Sequence, residues 1–462
     1  MRRIFKPSLA DFLLGALLYA CFARGGWQAL LADGDTGWHI RTGELILTTG
    51  RVPSADPFSF TRAGEPWFAW EWLSDVIFAM LHRHWGLAGV AGLAAVVLAL
   101  AAVLLFRRML RAGADIWIAL PLALAAAGAS SVHYLARPHV FTILGAAAAF
   151  GILESERRLW LLVPMAALWT NLHGGWVALV ASVWLLAAVR RKHVPVAAAC
   201  TAATLLNPYG WRLHAHVFDY LRSGWILQNV QEFQPPRFES EGLLQFAALL
   251  ALGLAMVSRY AAARRWYPAL ITLVWALAAL RSARHVPVYA AAAAPLAAGE
   301  LGALWRGVRG GLAETFRAIG RDFSAEGLRF SAWAPVLAAG VFALSPPACG
   351  FPEQRFPVAA VERLAPGARV LTSDQWGDYL IYRLYPRQRV FFDGRSDFYG
   401  PALGRQYQSL MSATGPWESV FERYAFQFAL LPHDWPLQAV LARDPRWRLV
   451  YRDRTAALFA RR

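Results

Sequence analysis

The chain has 462 residues and a mean hydropathy of +0.35, with 57% hydrophobic and only 16% charged residues. Soluble domains carry about 25% charged residues, so this composition excludes a soluble enzyme; the three cysteines lie in or at the end of apolar runs, which excludes a disulfide scaffold. The net charge of +16 does not signal nucleic-acid binding, because the basic residues fall between apolar runs, where membrane topology accounts for them.

Apolar runs predict eleven spans, at roughly 9–31, 87–106, 115–131, 139–153, 159–171, 175–189, 194–206, 242–258, 266–280, 286–303 and 331–348. Arg2, Arg3 and Lys6 precede the first span and place the N-terminus in the cytoplasm; no small-residue cleavage site follows, so this is not a signal peptide. The stretch 71–85 decides the topology. It carries Glu71, Asp75, His82, Arg83 and His84, which are expensive in lipid, so it is read as an interfacial helix. The arginine clusters then all fall on one side: Arg107/Arg108/Arg111, Arg157/Arg158, Arg190/Arg191/Lys192, Arg259/Arg264/Arg265, and the run from Arg306 to Arg329. The expected architecture is a polytopic α-helical membrane protein in the cytoplasmic (inner) membrane. Residues 1–349 form the transmembrane domain with a large first outer loop at 32–86, and 350–462 form an extracytoplasmic α/β domain.

The first loop opens Asp33-Gly34-Asp35-Thr36-Gly37-Trp38-His39. Asp35 fits two roles: a carboxylate at a dry membrane edge, tuned to activate a hydroxyl, or the N-cap of a helix from about Thr36 to Leu47 that Gly50 and Pro53 end. Asp56 and its flanking prolines mark turns, and Trp67, Trp70 and Trp72 fit an interfacial aromatic belt. Glu71 is either an acid at a helix start or a second carboxylate facing the cavity of Asp35. In the tail, 368–372, 389–393, 426–431 and 448–451 read as strands, with helices at 376–384 and 436–443, which suggests a partly parallel sheet.

The layout of a first span, an acid directly after it, a long outer loop with interfacial helices and a span ending in Arg-Arg resembles the GT-C superfamily of membrane glycosyltransferases. The stretches DGDTGWHIRTGELILTTGRVPSADPFSF, PWFAWEWLSD, NLHGGW, LNPYGW, WGDYLIYRLYP and VFFDGRSDFYG are similar to those of a group of bacterial membrane proteins assigned to that superfamily. The resemblance implies transfer of a sugar from a polyprenyl phosphate or pyrophosphate carrier to a glycan, lipid or protein acceptor outside the cytoplasmic membrane. The family's loop acid maps onto Asp35, or alternatively Asp33. Its second motif, often Glu-His-Pro-Pro, is matched by Glu71 alone. Trp376-Gly377-Asp378-Tyr379 partly resembles the Trp-Trp-Asp-Tyr-Gly element of oligosaccharyltransferases, but one Trp is missing and that role is not carried over.

Such chemistry needs cations for phosphate, and arginine suits it because its planar fork donates paired hydrogen bonds. Arg137 with His139, and Arg281 with Arg284 and His285, fall at predicted outer ends of spans; either group could instead meet lipid headgroups. His173 sits in an abrupt Asn-Leu-His-Gly-Gly-Trp turn, where it can bind a ligand or cap the turn. Glu232 is the other nominated acid. A divalent cation is the one cofactor the pattern accommodates, on Asp33, Asp35 and Glu232 if they converge. Asp393 and Arg395 follow a predicted strand, where α/β sheets bind ligands, or else they form a pair tying the tail down. No phosphate-loop or Rossmann signature occurs. Two further readings are a non-catalytic membrane protein (a lipid-linked glycan transporter or assembly factor) and a ligase moving a whole glycan.

Overall fold

The computed structural model describes residues 5–329, 331–344 and 349–462. Arg2 and Arg3, on which the predicted orientation partly rests, and the end of the predicted 331–348 span lie outside the described residues. The chain divides into two compact units, one of Met1–Leu30, Ala91–Trp211 and Gln231–Pro347, the other of Leu31–Val90, Arg212–Val230 and Ala348–Arg462. The predicted first loop thus belongs to the same unit as the tail.

The first unit is helical. Trp72–Arg111, Ile116–His133, Glu241–Ala262 and Ala283–Gly307 are long and apolar enough to cross a membrane, and shorter apolar helices such as Val140–Ser155 and Trp266–Arg281 match the other predicted spans. The predicted first span is broken: its helix runs Leu9–Phe22, and a 3-10 turn at Ala23–Gly25 interrupts it where the consecutive Gly25 and Gly26 weaken helix propensity. Ser8 starts that helix with a capping box, its hydroxyl meeting the Asp11 backbone and the Asp11 carboxylate meeting the Ser8 amide. The Trp72–Arg111 helix is interrupted at Gly86 (φ 59°, ψ −154°), between the predicted interfacial stretch and the predicted span. Arg108 is buried on Glu154 and on the carbonyls of Ala147 and Ala291, so this arginine is not a free loop charge.

The second unit joins the first loop, the 212–230 segment and the tail. Its sheet has the order β1-β2-β4-β3, with β1 (Val370–Leu371), β2 (Phe428–Pro432), β3 (Trp447–Arg452) and β4 (Ala456–Arg461). β1 runs parallel to β2, and the β2–β4 and β3–β4 pairs are antiparallel, so the sheet is partly parallel as expected. The stretch 389–393 is not one of its strands. Val390 makes a single parallel bridge to Ser59 of the first loop, exchanging backbone hydrogen bonds with Phe58 and Phe60 (2.9 Å each). Its Val-Phe-Phe run is buried, so apolar burial rather than strand pairing explains the sequence pattern. β4 was not foreseen.

The helix Asp35–Thr49 ends where predicted, at Gly50 in the left-handed conformation. It packs closely on the tail helix Asp374–Leu384, because Gly37 faces that helix. A Cβ at Gly37 would lie 2.7 Å from Tyr382 Cβ and 2.8 Å from the Asp378 carbonyl. Arg41, one turn on, donates from Nε to the Tyr382 carbonyl at the end of the same contact (2.8 Å). The 212–230 segment is tied in by His216, which stacks on Phe68 and meets Asp397 at 3.0 Å. Gly37→Val is expected to destabilise the chain by about 1–3 kcal/mol through overpacking, read as a lower unfolding temperature of the solubilised full-length protein; an unchanged temperature would contradict this contact.

Candidate active site

Three helix starts meet in the second unit: Asp35–Thr49, Asp374–Leu384 and Ser396–Ser412. Gln375 Oε1 accepts from the Gly34 amide (2.7 Å), which joins the first two. Gly394, just before the third, donates its amide to Asp378 Oδ1 (3.0 Å). A side chain at Gly394 would overlap Asp35 Oδ1 and stand 2.9 Å from Asp378 Oδ2, so only glycine leaves room for both carboxylates. Helix N-termini carry partial positive charge, and this is what makes a group of acids tolerable there.

Asp35 is nearly fully buried and is the first helical residue, not the N-cap. Gly34 takes the cap position, and the Asp35 amide donates instead to Asp33 Oδ1 (2.9 Å). The Asp35 and Asp378 carboxylates both face Gly394. Burial pushes the Asp378 carboxyl well above the usual range, and the neighbouring charges of Asp35 and Asp393 push it further. Asp374 is likewise raised, first by burial, and Tyr407 partly offsets this by hydrogen bonding to it.

One turn beyond Asp35 on the same helix face lies His39, which is buried. Its Nδ1 is 2.6 Å from Asp75 Oδ1 and its Nε2 is 3.5 Å from Glu71 Oε2. Glu71 is thus one arm of a carboxylate–imidazole–carboxylate array. Sequence reading nominated Glu71 but missed His39, Asp75 and Asp378. The i, i+4 spacings Asp35/His39 and Glu71/Asp75 were available as signals.

Asp393 and Arg395 form a buried structural pair. Arg395 donates from Nε and an η nitrogen to Asp393 (2.8 and 2.7 Å) and meets Asp56 Oδ1 at 2.8 Å. Tyr399 donates to Asp393 Oδ2 (2.6 Å), and Asp56 also accepts from Ser59. The pair ties the tail to the first loop, the second of the two roles open to it.

The nominated residues of the first unit form a separate cluster. Arg137 pairs with the half-buried Glu232 (2.7 Å), and Arg284 lies over the Phe233 ring at 4.4 Å. Enclosure by protein raises the Glu232 carboxyl, but Arg137 and Arg284, with His133 and His139, outweigh that and hold it below the usual range. His139 donates from Nε2 to the His133 carbonyl (2.6 Å), and its ring faces His173 at 6.3 Å. His173 Nδ1 receives the Gly175 amide (3.0 Å) and lies 2.7 Å from Thr142 Oγ1, so it caps its turn. Burial, then the charges of His139 and Arg284, lower its pKa and keep it neutral. His285 packs against Trp275, and Arg281 is exposed. Among the described residues no three His, Cys, Asp or Glu side chains are arranged to hold a metal ion.

No family model and no curated protein matches the sequence. Among solved structures, the archaeal oligosaccharyltransferase AglB from Archaeoglobus fulgidus, in complex with an inhibitory peptide and a dolichol-phosphate, matches with a TM-score of 0.57. The match covers 92% of this chain and 69% of that one, at 14% identity. The chain shares that protein's fold. Two structures of ArnT from Cupriavidus metallidurans cover most of the chain at lower scores: the apo form (TM-score 0.48, 94% of this chain and 95% of that one, 15% identity) and the form bound to undecaprenyl phosphate (0.49, 98% and 96%, 14% identity). The fold shared with the oligosaccharyltransferase agrees with the layout of spans and loops read from the sequence.

Two outcomes follow from these charges. Arg395→Met leaves Asp393 and Asp56 buried without their cation and is expected to cost about 3–5 kcal/mol, measured by thermal unfolding; loss below about 1 kcal/mol would contradict the buried-pair assignment. Asp378 has a folded pKa raised above its unfolded value, so between the two the folded chain holds the extra proton. Its contribution is therefore favourable at low pH and is lost as pH rises, by up to about 1.4 kcal/mol per pH unit. Asp378→Asn, which keeps an acceptor for Gly394, is expected to gain stability over the wild type progressively from about pH 4 upward. Parallel pH profiles for the two proteins would contradict the raised pKa.

Proposed function

We propose that the chain transfers a sugar from a polyprenyl-phosphate- or pyrophosphate-linked donor to an acceptor hydroxyl at the outer face of the cytoplasmic membrane. The observation that carries this reading is the buried Asp35 carboxylate, held beside Asp378 at the start of its helix. The GT-C fold agrees with it.

In the proposed step the acceptor oxygen attacks the anomeric carbon of the donor sugar. The bond from that carbon to the phosphate oxygen breaks with its electron pair, and the polyprenyl phosphate leaves. Asp35 accepts the acceptor's proton as general base, a role worth about 10²–10⁴ in rate. Asp378 carries the proton of the pair, which leaves Asp35 ionised and fixes its orientation. The array of His39, Asp75 and Glu71 holds the rest of that helix face rigid, so Glu71 acts through His39 rather than on substrate. Positioning of this kind matters because small displacements of a reacting group cost large factors in rate.

Arg137, Arg284 and Arg281 are proposed to hold the donor phosphate, with His139, His173 and His285 alongside. Glu232 would then yield Arg137 to the phosphate, an exchange of one anionic partner for another. The N-terminus is proposed to lie in the cytoplasm and the tail outside.

The test uses the full-length protein in nanodiscs with a panel of undecaprenyl-phosphate-linked sugars, following release of undecaprenyl phosphate and labelling of the acceptor. Asp35→Asn is expected to lower transfer at least about 100-fold with unchanged unfolding temperature, and Asp378→Asn to keep most of it. A folded Asp35→Asn variant that transfers at the wild-type rate would remove Asp35 from the mechanism. Labelling of the acceptor by one sugar, as opposed to a preassembled glycan, separates sugar transfer from ligation.

A further inference from the structure

The helix Gly311–Gly327 takes no part in the proposed chemistry, yet its surface is unusual. Leu312, Phe316, Ile319 and Phe323 recur at i, i+4, i+7 and i+11, which places them on one narrow stripe of a helix. All four are exposed, by 81%, 48%, 41% and 50%. They are not the face by which the helix packs. That face, about a quarter turn away, is made of small residues: Gly320 and Gly327 are buried, and a Cβ on them would lie 2.9 Å from Trp117 Nε1 and 2.8 Å from Leu110 Cδ1. A helix that already packs through one face and still presents four large apolar side chains beside it needs a second apolar neighbour.

The stripe continues a surface whose neighbour is known from composition. Phe316 meets the ring of Trp117 edge-on at 5.6 Å, and Trp117 donates Nε1 to the Phe316 carbonyl at 2.9 Å. Trp117 is itself exposed and lies in the first turn of Ile116–His133, a helix fit to cross a membrane. Leu304 and Val308 are exposed at the end of Ala283–Gly307, another such helix, just before the stripe begins. Exposed apolar residues at the ends of two spanning helices therefore adjoin this one, through the Trp117–Phe316 contact and along the chain from Leu304 and Val308. Its direction is fixed at the start, where Arg317 donates to the carbonyls of Trp305 and Val308 and so folds the helix back against the end of the span. On the flank away from the stripe stand Glu314 and Arg321, both exposed. Over 304–330 the basic residues Arg306, Arg309, Arg317, Arg321 and Arg329 outnumber Glu314, Asp322 and Glu326. Apolar residues on one side and arginine-rich polar residues on the other describe a helix lying in a membrane surface.

We propose that Gly311–Gly327 is an interfacial anchor that lies in the plane of the bilayer, with Leu312, Phe316, Ile319 and Phe323 sunk between lipid tails and Arg309 and Arg321 among the headgroups. The occupant of the exposed stripe is lipid, not a second copy and not a soluble partner. The helix joins the spans before and after it without leaving the membrane, and fixes the depth at which both end.

The test places a spin label at Ile319→Cys or, in a second variant, at Arg321→Cys, in the full-length chain with Cys21, Cys200 and Cys349 replaced by alanine. Both are reconstituted in nanodiscs of mixed neutral and anionic lipid. Collision with oxygen, which concentrates in lipid, is compared with collision with a water-soluble nickel chelate. The expected result is a label at Ile319 that oxygen reaches several-fold better than nickel, and a label at Arg321 with the opposite preference. Equal nickel access at both sites would overturn the proposal. So would an Ile319 label shielded from both reagents, or one broadened by a second label nearby, which would indicate a protein neighbour or a second copy. Both sites are exposed in the helix, and unchanged unfolding temperatures identify the variants that retain the fold.

Discussion

Two carboxylates packed together away from water cannot both ionise without a large penalty, and Asp35 and Asp378 are placed in that situation. The rest of the second unit can be understood as what makes the placement tolerable. Gly394 supplies both an amide to Asp378 and the missing side chain, and Gly37 lets the two helices approach closely enough to bring the acids together. Arg395, bonded to Asp393 and Asp56, holds the first loop to the tail. A stability-minded sequence would replace such an acid pair by amides. Its retention at a close-packed junction is what a site under chemical demand looks like.

The same argument assigns less to the other polar groups. Asp393 and Arg395 bond one another and Asp56, which explains cohesion between the tail and the first loop. His39 is held by Asp75 and Glu71, and its burial means that anything it contributes passes through those carboxylates. In the first unit, Arg137 is neutralised by Glu232, so an incoming phosphate would compete with an existing ion pair rather than enter an open cationic site. That competition lowers affinity but favours a doubly charged anion over a singly charged one.

Much of the fold was legible because hydropathy acts locally. The apolar runs became helices, Gly50 ended the helix after Asp35, and the charged stretch 71–85 proved to be separated from the following apolar run by the break at Gly86. What failed were features set by tertiary context. The Val-Phe-Phe run at 390–392 has the composition of a strand, yet its partner is Ser59 rather than the sheet. Asp378 was passed over because it lies in the middle of a helix and its meaning comes from Asp35, hundreds of positions earlier. Asp35 and Glu71 stood out from their positions after a span and among tryptophans. The groups that qualify them, His39 and Asp75, are each one helical turn away and could have been found from spacing alone. The assignment of Arg395 could not, since Asp56 and Asp393 give no local sign of sharing one guanidinium.

The account rests on one proton shared between Asp35 and Asp378, and infrared difference spectroscopy of the full-length protein across a pH titration observes it directly. The prediction is a protonated carboxyl stretch that persists at neutral pH, where ordinary carboxylates have ionised, and that disappears in both Asp35→Asn and Asp378→Asn. A spectrum with no protonated carboxyl at neutral pH, or one unchanged by both substitutions, would contradict the shared proton and with it the basis for placing Asp35 at the centre of the chemistry.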